Sequence, residues 1–166
     1  MRKKLLSMLV LLVAVVTGAV AEGSIVCSPG DLGKVLCTDG TIVDNVAAAT
    51  EASKTAAAII AYVDVTDSKG LAIALTDESG TMDWSTAKST CEGKTAVTNA
   101  KWCMPSGAQW QQMTKANGGE EENCSGLNTI ITTHGGTGLQ PVIYWTKETP
   151  DIDPIRLVEP PFPRCT

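Results

Sequence analysis

Residues 81–113 carry two short segments of helical pattern on either side of a Trp-x-x-Pro-Ser junction. A chain built this way has two amphipathic helices to bury and needs a layer to bury them on. Asp83 is the expected N-cap of the first helix. Trp84, Ala87 and Cys91 then follow at i, i+3 and i+7 on one face, and Glu92-Gly93 ends it. After Pro105, Ser106 is the expected cap of the second helix, and Trp110 and Met113 share a side. Asn117-Gly118-Gly119 closes it with a left-handed cap sequence. The pattern sets local structure and points to no reaction.

The layer comes from strands on both sides of this block. Lys34–Cys37 and Ile42-Val43 are short strand candidates among the turn sequences Ser28-Pro29-Gly30-Asp31 and Thr38-Asp39-Gly40-Thr41. Residues 45–58 are Ala-rich, as a short helix or an irregular loop. Ala57–Val63 is a β-branched apolar run, and Leu71–Leu75 alternates large and small residues, which suits a strand with two buried faces of unequal depth. The turn at Thr66–Gly70 makes the two an antiparallel hairpin. Residues 118–140 read as the loosest part, Gly-rich and acidic around the apolar island Ile130-Ile131. Val142–Thr146 is a strong strand signal and Ile155–Val158 a final short strand, with Pro160, Pro161 and Pro163 limiting pairing beyond it.

The N-terminus reads as an export leader. Arg2, Lys3 and Lys4 precede an apolar stretch from Leu5 to Val16, shorter than the roughly 20 residues a membrane span needs, and Ala19-Val20-Ala21 is a small-x-small cleavage site. Residues 1–21 are thus expected to be a signal peptide and residues 22–166 a single domain, secreted, periplasmic or at the cell surface, with no membrane span in the mature chain. Of the 13 Lys and Arg residues three lie in the leader, so 10 basic face 18 acidic in the mature chain, a net charge of −8. That balance, with no basic patch, excludes nucleic acid as a partner class. All six cysteines (Cys27, Cys37, Cys91, Cys103, Cys124 and Cys165) fall after the leader, which in an exported chain implies disulfides. Cys27 and Cys37 flank the β entry and are expected to pair. With no Cys-x-x-Cys and His134 as the only histidine, no metal and no cofactor is expected.

Four tryptophans could stack on a sugar. Trp102 and Trp110 are expected as core anchors, as their large apolar area favours burial, while Trp145 is divided between that role and ligand contact. Glu120–Glu122 reads as a solvated charge run, and Asp151 and Asp153 have no third acidic neighbour to make a calcium site. His134 in Thr-Thr-His-Gly-Gly has no accompanying nucleophile elbow, His-Glu-x-x-His or paired-carboxylate motif, so no enzymatic activity is expected.

Four motifs stand in order: Lys69-Gly70-Leu71-Ala72-Ile73-Ala74, Trp84-x-x-Ala87 with Cys91, Trp102-Cys-Met-Pro105-Ser106 with Gln109-Trp110, and Tyr144-Trp145-Thr146-Lys147-Glu148. Together they resemble an exported bacterial C-type lectin-like family of Bacteroidetes type, over about residues 30–160. Met104 stands where that family usually has Leu, and the calcium and sugar motifs of true C-type lectins are absent. The resemblance implies an α+β, C-type lectin-like fold of two short helices packed on small antiparallel sheets and stapled by disulfides. A Cys91–Cys103 bridge would clamp the helix pair and leave Cys124 to reach Cys165; Cys91–Cys165 is the alternative that such folds suggest. The implied function is non-enzymatic recognition of an extracellular protein or glycan through loops 114–140 and 146–154, with Asn128, His134, Trp145, Lys147 and Glu148 as ligand-binding residues. The alternative is a structural surface or fimbria-like component with no small ligand.

Overall fold

The computed structural model describes residues 8–9, 13–16, 26–78, 82–119, 124–139, 143–144 and 147. In chain order these form β1 (Met8–Leu9), β2 (Val13–Val16), a 3-10 turn (Pro29–Asp31), β3 (Val35–Cys37), β4 (Ile42–Val43), α1 (Val46–Glu51), β5 (Ala56–Asp64), β6 (Lys69–Ala74), α2 (Trp84–Glu92), β7 (Ala100–Cys103), α3 (Gly107–Ala116), α4 (Ser125–Thr133) and β8 (Ile143–Tyr144). A six-stranded sheet in the order β4-β3-β5-β6-β2-β7 is antiparallel at every junction. β1 and β8 pair in parallel as a separate two-stranded sheet. The expected α+β class with a small antiparallel sheet is therefore observed.

The period-two alternation of β3, β5 and β6 explains the layers. Val35, Ile59, Ala61, Leu71 and Ile73 line one face and meet Trp110 and Met113 of α3 and Leu127 and Ile131 of α4. Leu36, Ala58, Ile60, Ala72 and Ala74 line the other face, where the small side chains admit Ala87 and Cys91 of α2 together with Val97, Trp102 and Met104. In β6 the large Leu71 and Ile73 thus face two helices and Ala72 and Ala74 face one, as the alternation in residues 71–75 anticipates. Every cap expected from sequence forms: Asp83 accepts from the Thr86 N–H, and Ser106 and Gln109 complete a reciprocal capping box.

The sequence reading needs correction at three places. The two helices around the Trp-x-x-Pro-Ser junction are not a pair on one face. Trp102 and Cys103 belong to β7, an edge strand that carries the chain from the α2 side of the sheet to the α3 side. The helix that accompanies α3 is α4, which occupies Ser125–Thr133 inside the region expected to be loop. Its Thr and Ile residues and Gly126 are weak helix formers, so propensity hid it. Burial of Leu127 and Ile131 against the sheet supplies the stability that propensity does not.

The third correction concerns the staples. Among the described residues no disulfide is formed. Cys37 pairs with Ala56 at the start of β5, whereas Cys27 lies against Gly70, the partner of Val63. Seven residues of strand separate Ala56 from Val63, roughly 20 Å, against a Cα separation of about 7 Å at most for a disulfide. The expected Cys27–Cys37 bridge does not fit this sheet. Cys165 lies outside the described residues, so the expected Cys124–Cys165 bridge and its Cys91–Cys165 alternative do too. So do residues 79–81, 120–123, 145–146 and 148–166, with the expected final strand Ile155–Val158. No helix among the described residues is long and apolar enough to cross a membrane.

Candidate functional site

β6 and β7 run in the same direction with β2 between them, so they end side by side: Ile73 and Cys103 both lie opposite Val13. Two later segments are fastened to these strand ends. From the first, the turn after α4, Thr137 donates to the Leu75 carbonyl at 2.7 Å, just beyond β6. From the second, Lys147 donates its backbone N–H to the Pro105 carbonyl at 2.8 Å, just beyond β7. Backbone hydrogen bonds thus fix the 134–139 turn and Lys147 at the same end of β6 and β7.

The expected ligand residues divide accordingly. Asn128 is scaffold: its Oδ1 accepts the Leu139 N–H at 2.9 Å and holds the 134–139 turn onto α4. His134 is the C-cap of α4 and half-buried, with Nδ1 shut from solvent and no hydrogen-bond partner. Lys147 is exposed. Trp145 and Glu148 lie outside the described residues. The turn that follows His134 is therefore anchored beyond β6 and Lys147 beyond β7, with β2 between the two strands, while Asn128 holds that turn through Leu139.

Two residues that sequence spacing did not single out, Glu78 and Lys94, lie beside Trp102 near the end of β7. Lys94 forms a half-buried ion pair with Glu78 at 2.7 Å and lies over the Trp102 ring, 5.5 Å from its centroid. The indole N–H of Trp102 donates to the Thr95 carbonyl at 2.8 Å, which fixes the ring under the lysine. Cys91 and Cys103 share this neighbourhood, as the Cys103 charge acts on Cys91 and those of Lys147 and Glu92 act on Cys103. Glu78, Lys94, Cys103 and Lys147 come from four separate stretches of chain, so only the fold unites them.

Burial, then the neighbouring Cys103, pushes the Cys91 thiol up to about 12, with Lys94 opposing and Glu78 and Glu92 adding to the rise. Burial likewise raises Cys103, against the pull of Lys147. Cys27 is raised to about 11 by burial and by Asp31. Thiols shifted this way are neutral near pH 7, and the thiolate is the nucleophile and the metal ligand. Among the described residues no three His, Cys, Asp or Glu side chains are grouped to hold a metal ion. Comparisons with protein-family models, curated proteins and solved structures return no match to this chain.

Proposed function

We propose that the chain is an exported, non-enzymatic binding module of C-type lectin-like kind that takes an extracellular protein or glycan. The observation that supports this reading is the double anchoring at the sheet end: the His134 turn tied to Leu75 and Lys147 tied to Pro105. A rigid sheet that holds exposed polar segments at its end is the arrangement in which recognition residues sit on loops and the scaffold limits the entropy lost on binding. The ligand surface is the turn 134–139 together with Lys147 and the 146–154 segment. The α4 helix within 114–140 serves as its support.

A glycan array and a screen of extracellular-matrix proteins, run on the mature domain, test this reading. A ligand whose affinity falls about tenfold or more in Lys147→Ala, with the fold unchanged by circular dichroism, supports it. Binding to neither panel, together with assembly into higher oligomers, would favour the structural surface component instead.

A further inference from the structure

The strand between β6 and β7 is made from residues that the sequence assigns to a cleaved leader. Val13–Val16 pairs along its whole length with Gly70–Ile73 on one side and with Ala100–Cys103 on the other. Cleavage before Glu22 takes this strand away and leaves a slot one strand wide. Its two walls are parallel to each other, about 10 Å apart at two strand spacings, and each has unpaired backbone groups facing the gap. With Val13–Val16 in place Leu71, Ala72 and Ile73 are at most 6% exposed, so opening the slot would uncover two unpaired strand edges and apolar side chains that this sheet otherwise keeps from water.

We infer that in the mature protein Ile155–Val158, from the same chain, takes the place of Val13–Val16 between β6 and β7. The inference rests on removal of residues 1–21. Three features on this chain select that occupant. Lys147, the last described residue, is bonded to Pro105, just past the Cys103 end of β7. The slot begins at that end, since Val13 lies opposite Cys103 and Val16 opposite Ala100. A segment that enters from there runs antiparallel to both walls, as β2 does. Residues 148–154 supply seven residues of connection, reaching roughly 20 Å when extended, well beyond the two strand spacings to be crossed. Ile155-Arg156-Leu157-Val158 then offers four residues for the four of β2, rich in strand-favouring side chains. Pro154 and Pro160 bracket it where a missing N–H costs no pairing within the run.

The test uses the full-length chain exported by a bacterial host and recovered after processing. Intact mass establishes the N-terminus, light scattering the oligomeric state, and hydrogen exchange the protection of individual segments. The expected result is a monomer beginning at Glu22 in which the 155–158 amides exchange about 100-fold or more slower than in a free peptide. In Leu157→Pro, the amides of Gly70–Ile73 and Ala100–Cys103 should lose protection while those of β3 keep theirs. Free-peptide exchange at 155–158 in the wild-type monomer overturns the strand replacement and leaves the leader reading intact. Protection that appears only in a dimer and is lost on dilution overturns it in favour of a second copy as donor. Retention of residues 1–21 removes the vacancy and overturns both readings, without touching the proposed ligand surface.

Discussion

Asn117 joins a helix to a sheet through two hydrogen bonds from one amide. Its Nδ2 donates to the carbonyls of Met113 and Ala61, each at 2.7 Å. Ala61 sits at the point where the β5–β6 register skips from Ile60 to Tyr62, so its carbonyl relies on a side chain for a partner. Asn117→Ala should lower stability by about 1–3 kcal/mol, the cost of a buried carbonyl left unsatisfied; the urea midpoint measures it. Asp39 works at the surface. Thr41 and Lys54 donate to its carboxylate, and the Thr41 backbone N–H adds a third bond, which lowers its pKa to about 2. A folded-state pKa below the unfolded value stabilises the fold above about pH 4, and this contribution disappears as pH falls through about 2. In Asp39→Asn the acid-unfolding curve should lose its dependence on this group, and carboxyl NMR titration of the wild type should place Asp39 near 2.

At the scale of elements, α4 docks where α3 ends. Gly126 lies so close to the Asn117 carbonyl that an added Cβ would overlap its oxygen, a backbone atom with no rotamer through which to move away. Gly126→Ala should cost about 1–3 kcal/mol as overpacking, and the 125–133 amides should lose protection before those of β5 and β6. A helix with Leu127 and Ile131 one turn apart was present in the sequence as a pattern, but Thr, Ile and Gly obscured it. By contrast Asp83, Ser106 and Asn45 cap their helices through bonds to residues three further along, so local reading suffices there. Of the candidate site, the resemblance reached His134 and Lys147 only as single residues. It could not show Asn128 turned back onto Leu139, because that bond spans eleven positions.

Across the whole molecule, β3, β5 and β6 are covered on both faces, by α2 on one side and by α3 and α4 on the other. This arrangement decides the disulfide question for Cys27 and Cys37, which the register places at opposite ends of β5. Non-reducing peptide mapping of the protein purified under oxidising conditions should find no Cys27–Cys37 linkage; a peptide pair joined through these two would refute the register of β3 against β5. The sequence by itself determined the hairpin of β5 and β6 and the caps at Asp83 and Ser106, since each depends on residues within a few positions of one another. Only the tertiary structure decided that β7 crosses between two helical layers, that Trp102 and Trp110 serve different cores, and that the Glu78–Lys94 ion pair lies beside Trp102. Those facts depend on which segments compete to bury the same apolar surface and satisfy the same backbone groups, and that competition is settled across the whole chain at once.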